Sequence, residues 1–135
     1  MFKRIDHVEI NTADFQGTID FYERVFGFKT GFRQQFQTPE TRIDVAYLTL
    51  HGAALEVVHW ADQSLPATPQ PEALGYRMMA LEVEDMEAAL DHLKSEGIEP
   101  SWGPVVSDKY IRAEVLDING FRIELRQWLQ PVTTS

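Results

Sequence analysis

A chain of 135 residues, 44% hydrophobic and 24% charged, has the make-up of a soluble globular protein and is long enough for one domain with a real core. Its net charge of −9 and pI near 4.8 argue against nucleic acid or an anionic membrane as partner. The absence of cysteine excludes a disulfide framework, a thiolate metal site and a cysteine nucleophile. The opening MFKRIDHVEI lacks an apolar signal core and no run reaches membrane-spanning length, so the expected location is the cytoplasm.

Residues 5–28 read as a strand, a turn and an amphipathic helix. Val8 and Ile10 lie on one strand face, with His7, Glu9 and Asn11 on the other. Asp14 is placed to cap the helix, Phe15, Ile19, Tyr22 and Phe26 recur on one stripe, and Gly27 stands at the stop. Residues 29–37 are a strand or an irregular crossing segment, interrupted by Thr38-Pro39-Glu40. Two strands follow, 42–50 and 53–60, joined by a turn at His51-Gly52. Residues 61–74, with Pro66, Pro69 and Pro71, form a linker or a loop over a cavity.

The plan then returns. His7-Val8-Glu9-Ile10 corresponds to Met78-Met79-Ala80-Leu81, and Asp14-Phe15 to Asp85-Met86, whose helix carries Met86, Ala89, Leu90 and Leu93 and stops at Gly97. Leu55-Glu56-Val57 is echoed by Ile123-Glu124-Leu125, so a duplicated module is expected. Pro100, Gly103 and Pro104 make any strand within 98–106 short or an edge. Residues 110–116 and 121–128 form a hairpin around Asp117-Ile118-Asn119-Gly120, and the last seven residues fray. If Val8/Ile10, Leu55/Val57, Met79/Leu81 and Ile123/Leu125 all face the helices, the opposite face carries His7, Glu56, Met78 and Glu124, with Glu9, Asn11, Glu82, Arg122 and Arg126.

These features together resemble the vicinal oxygen chelate superfamily, the glyoxalase/bleomycin-resistance/dioxygenase group. The carriers are Ile5-Asp6-His7-Val8, Phe21-Tyr22-Glu23 with Phe26-Gly27-Phe28, Leu55-Glu56, Leu81-Glu82-Val83-Glu84-Asp85, and Asp117 to Gly120 leading into Ile123-Glu124-Leu125. The resemblance implies an α+β fold of two βαβββ modules, forming a curled, cup-shaped mixed sheet with helices on its outer face. One domain over 1–135 would hold module one at 1–62, a linker at 63–74 and module two at 75–130. A generic ferredoxin-like domain needs only two strands after each helix, whereas 28–60 calls for three.

In metal-dependent members of this family each module gives one ligand from its first strand and one from a late strand. Carried over, the resemblance implies His7, Glu56 and Glu124 as ligands of a divalent metal: zinc, nickel, manganese or iron. Met78, a poor ligand for these ions, holds the fourth position. The implied chemistry is that of a lyase or isomerase on a small oxygenated substrate, with Glu56 and Glu124 as the catalytic proton carriers. Asn11, Trp60, Met78 and Arg122 are expected to line the substrate. Ring-cleaving dioxygenase chemistry fits less well, because Met78 removes a histidine. The alternative is a metal-free binding protein of the drug-sequestering kind. There Glu56 and Glu124 pair with Arg122 and Arg126, while Trp60, Trp102 and Trp128 stack on an aromatic or cationic ligand. His51 and His59 read as surface residues, and a homodimer is expected.

Overall fold

Capping residues fix both helices where the alternation leaves off. In the computed structural model, which describes residues 1–67 and 72–132, Asp14 accepts a hydrogen bond from Gly17 N at 3.0 Å and starts α1 (Phe15–Phe26). Gly27, at φ 79°, ends it in the left-handed region that a side chain would strain. Asp85 starts α2 (Met86–Ser95) in the same way through Ala88 N at 3.2 Å, and Gly97 follows its last turn. Around α1 stand β1 (Val8–Asn11), β2 (Lys29–Gln37), β3 (Arg42–Leu50) and β4 (Ala53–Trp60). Around α2 stand β5 (Met79–Glu82), β6 (Trp102–Val106), β7 (Tyr110–Leu116) and β8 (Arg122–Trp128).

The strands make two four-stranded mixed sheets, ordered β1-β4-β3-β2 and β5-β8-β7-β6. In each, the first strand runs parallel to the last and the remaining pairs are antiparallel. This is the expected pair of βαβββ modules, with three strands after each helix. Segment 29–37 is a full strand, and β6 is the expected edge. The chain divides into two compact units, Met1–Thr68 and Pro69–Ser135. Pro69 and Pro71 of the expected linker, and the last three residues of the expected frayed tail, lie outside the described residues.

The register repeats as closely as the topology. Glu9 is paired with Glu56 across β1 and β4, and Ala80 with Glu124 across β5 and β8. Tyr47 stands opposite Glu56 and Val45 opposite Val58; in the second unit Glu114 stands opposite Glu124 and Arg112 opposite Arg126. Every position near the polar face of one unit therefore has a counterpart in the other.

In the first unit, Ile19, Tyr22 and Val25 of α1 are buried with Leu48, Leu55 and Val57 of the sheet. The expected stripe of Phe15, Ile19, Tyr22 and Phe26 is turned by part of a residue step. Thr18 and Phe21 are buried instead, and Phe15 and Phe26 sit half-exposed at its margins. The aromatic rings of Phe21, Phe26 and Phe28 surround Tyr22 at 5.4–5.8 Å between centroids. In the second unit Met86 and Leu93 of α2 are buried, as are Ala113, Val115, Ile123 and Leu125. No helix among the described residues is long and apolar enough to cross a membrane.

His59, expected on the surface, lies on the helix side of β4, where Phe15 stacks on it at 6.1 Å. Its Nδ1 is 3.1 Å from Oδ2 of Asp44, a buried carboxylate that also accepts from Arg42 Nε at 2.9 Å and Nη2 at 3.1 Å. The Arg42 bonds, aided by His59 and opposed by burial, hold the Asp44 carboxyl below its ordinary 3.8. A carboxylate lowered on folding contributes stability above its unfolded pKa and loses it as pH falls through the folded value. Asp44→Asn is thus expected to cost about 1–2 kcal/mol at neutral pH. In urea unfolding the gap from the parent protein should close as pH drops below 3.8.

Candidate metal centre and its counterpart in the second unit

Strand alternation puts His7 and Glu9 on one face, and the parallel register sets Glu56 beside Glu9. His7 Nε2 lies 3.3 Å from Glu9 Oε2 and 3.5 Å from Glu56 Oε2, so one ligand atom from each residue falls within 4.8 Å of the others. The other ring nitrogen, Nδ1, is 2.8 Å from Asp6 Oδ2, and that oxygen also accepts the Tyr47 hydroxyl at 2.9 Å. Phe32 stacks on Tyr47 at 5.1 Å, and His7 meets the same ring edge-on. Asp6 therefore turns Nε2 toward the two glutamates, as a carboxylate behind a metal-binding histidine does.

The electrostatics follow from this geometry. The Asp6 bond raises the His7 pKa above 6.5 against the pull of burial, with smaller help from Glu9 and Glu56. Glu56 is pushed up, first by burial and then by the charge of Glu9, with His7 pulling the other way. Two carboxylates so placed repel, and a divalent cation between them and Nε2 would remove the repulsion. One imidazole nitrogen and two carboxylate oxygens suit zinc, nickel, manganese or ferrous iron, so these residues fit such an ion.

The second unit answers the same register differently. Met78 precedes β5 where His7 precedes β1, and Ala80 takes the place of Glu9, so neither supplies a ligand. Glu124 is buried with its two oxygens each 2.9 Å from a guanidinium, Oε1 from Arg112 Nε and Oε2 from Arg126 Nε. Neither Nε–H points along a hydrogen bond, so the contact is one of charge. Glu114, also buried, accepts from Arg112 Nη2 at 2.8 Å and from Arg122 Nη2 and Nε at 2.8 and 3.1 Å. Arg112 covers Trp102 at 4.5 Å, while Arg126 lies over Tyr110 at 4.1 Å and over Trp128 at 5.0 Å. A recess of about 340 Å³ opens beside them, lined by Ala80, Glu82, Glu124, Arg126 and Trp128.

Among the residues singled out from the sequence, His7 and Glu56 are brought together, and Asn11 and Trp60 join through a Trp60 Nε1–Asn11 Oδ1 bond of 2.9 Å. Glu124 stands between its arginines in the second unit. Of the pairings expected for a metal-free form, Glu124–Arg126 is present. Arg122 goes to Glu114 and Glu72, and Glu56 has His7 as its partner. Glu9 joins the cluster although it is not among the ligands that the family resemblance implies; its spacing of two from His7 puts it on the same strand face. Asp6 was visible only as a neighbour of His7. Nothing in the sequence marked Tyr47 or Glu114, whose roles depend on cross-strand register.

A pair of βαβββ modules with a histidine–carboxylate cluster at the start of the first strand and on its parallel neighbour is the arrangement of a glyoxalase-type protein. Residues 4–125 match the Glyoxalase/Bleomycin resistance protein/Dioxygenase superfamily, and the chain belongs to that superfamily. It is 29% identical to an ethylmalonyl-CoA/methylmalonyl-CoA epimerase of Cereibacter sphaeroides, covering 94% of this chain and 99% of the relative. It is 26% identical to a lactoylglutathione lyase of Escherichia coli O157:H7, covering 90% of each. Among solved structures it resembles a glyoxalase family protein from Enterococcus faecalis at 32% identity and TM-score 0.76, over 93% of this chain and 98% of that one. One from Bacillus cereus shares the fold at TM-score 0.82 and 20% identity, over 96% and 97%.

Proposed function

We propose that this protein is a divalent-metal-dependent lyase, isomerase or epimerase acting on a small oxygenated organic substrate, with His7, Glu9 and Glu56 holding the ion. One observation carries the reading: His7 Nε2 and two carboxylates converge within 4.8 Å while Asp6 fixes the imidazole from behind. The epimerase and lyase relatives support the reaction class. When bound, the ion would supply Lewis acidity, polarising a substrate carbonyl and easing proton loss beside it. The chain's own residues do the rest. Tyr47 anchors Asp6, Asp6 keeps a proton on His7 Nδ1, and Nε2 is left free to donate its lone pair. Glu56, the least exposed carboxylate of the cluster, takes and returns the proton. Glu124 stays with Arg112 and Arg126, outside the ligand set. A homodimer belongs to the same reading and is checked by light scattering.

The test is elemental mass spectrometry on untagged protein beside His7→Ala. It is followed by proton–deuterium exchange at the carbon next to the carbonyl in CoA-thioester and α-keto hemithioacetal substrates. Near-stoichiometric metal lost in the variant, with exchange that depends on it, is the expected result. Protein that stays empty after incubation with zinc, nickel, manganese and ferrous iron would end the metal reading and leave ligand sequestration in its place.

A further inference from the structure

The second unit's polar face has an arginine whose terminal nitrogens make no hydrogen bond or ion pair among the described residues. Arg112 and Arg122 both direct Nη2 at Glu114. Arg126 is held by Tyr110, Trp128 and Glu124, yet its Nη groups make no hydrogen bond or ion pair among the described residues. A guanidinium fixed in plane by two rings and one carboxylate is a preorganised fork for a planar oxyanion. It opens onto the recess of about 340 Å³, where Ala80, in place of a glutamate, leaves the room.

A comparison within the chain supplies a second donor. In the first unit, the Trp60 indole N–H is taken by Asn11. At the corresponding positions the second unit has Trp128 and Glu82, both lining the recess, and Trp128 Nε1 donates to nothing among the described residues. Of the three guanidiniums on this face, Arg112 and Arg122 are taken up by the buried carboxylates Glu114 and Glu124 and by exposed Glu72, and Arg126 alone has Nη groups that meet no carboxylate among the described residues. Exposed Glu72 rests on Arg122, and exposed Glu82 at the recess weighs against a doubly charged ligand.

We infer that Arg126 and Trp128 form a binding site for a singly charged carboxylate carried on an aromatic or apolar body, the carboxylate on the Arg126 fork and the body against Trp128. This reverses the sign expected of a ligand from the net charge of the whole chain. The residues that form it all belong to the second unit, and it needs no metal.

The experiment is calorimetry with 2-naphthoate, 2-naphthylmethylammonium and 2-naphthyl phosphate, on metal-stripped full-length protein and its variants. Naphthoate is expected to bind at least tenfold more tightly than either of the others and equally well to His7→Ala. Arg126→Lys, which keeps the charge and loses the planar fork, should weaken it tenfold or more. Trp128→Phe, which keeps the ring and loses the N–H, should weaken it a few-fold. If Arg126→Lys does not fold, nitrogen-15 spectra of the parent protein decide, because naphthoate should shift the Arg126 side-chain signals and leave those of Arg122 in place. Absence of saturable binding, tighter binding of the ammonium or the phosphate, loss in His7→Ala, or an unchanged Arg126→Lys would overturn the assignment.

Discussion

Glu9→Gln and Glu56→Gln should each empty the metal centre, while Glu124→Gln leaves it filled. Removing a group behind a ligand commonly costs 10–100-fold in affinity, so loss of one of three ligands should exceed about 100-fold. Metal per chain after dialysis against a weak chelator reads this directly. Asp6→Asn tests the next layer. It keeps the size of the group behind His7 Nδ1 and removes the charge that stabilises a metal-bound imidazole, for an expected loss of about 10–100-fold. The opposite result would be equally informative. Metal retained in Glu9→Gln and lost in Glu124→Gln would mean that Glu124 leaves Arg112 and Arg126 to complete the set of His7, Glu56 and Glu124.

The second large effect concerns stability. Glu114 is 3% exposed and takes three N–H bonds from Arg112 and Arg122. Its charge holds the Arg122 guanidinium protonated even more firmly than usual. Glu114→Ala would remove three charge-assisted hydrogen bonds and leave Arg112 with Glu124 and Arg122 with exposed Glu72, a change worth about 2–3 kcal/mol. Urea unfolding followed by tryptophan fluorescence should show it, since Trp102 lies against Arg112 and Trp128 against neighbouring Arg126. The double variant Glu114→Leu/Arg122→Leu should recover much of the loss, because apolar packing replaces buried ion pairs at little cost. If Glu114→Ala unfolds within about 1 kcal/mol of the parent protein, the arginines find solvent or each other's carboxylates, and the network is not what holds this sheet together.

The parts of the fold legible in the sequence were those that local chemistry decides. Asp14 and Asp85 announced their helices, Gly27 and Gly97 closed them, and His51-Gly52 and Asp117 to Gly120 turned the hairpins. The polar face was legible too, because alternation alone separates His7 and Glu56 from Val8 and Leu55. What alternation does not reveal is which residue of a neighbouring strand stands opposite. Glu114 and Arg112 lie on β7, and their meeting with Glu124 depends on a pairing offset that no local pattern encodes. His59 was misplaced for a related reason. Its own strand showed it on the helix side, but the partners that bury it, Asp44 and Phe15, come from elsewhere in the chain. Glu9 is the opposite case: alternation alone places it on the face of His7, but the family's pattern of one ligand from the first strand does not include it.

The shared register of the two units also constrains how this sequence can change. Positions 45 and 58 are valines beside Glu56, and their counterparts 112 and 126 are arginines beside Glu124. Substitutions there are epistatic. Restoring Met78→His and Ala80→Glu alone would place new ligands beside a carboxylate already held by two cations. Replacing Arg112 and Arg126 alone would leave Glu124 buried and unpaired. Only the four changes together would give the second half the ligand positions of the first without leaving Glu124 unpaired or crowded by two cations. Each half thus sits in its own valley of sequence space, and passage between them runs through intermediates that are worse than either end.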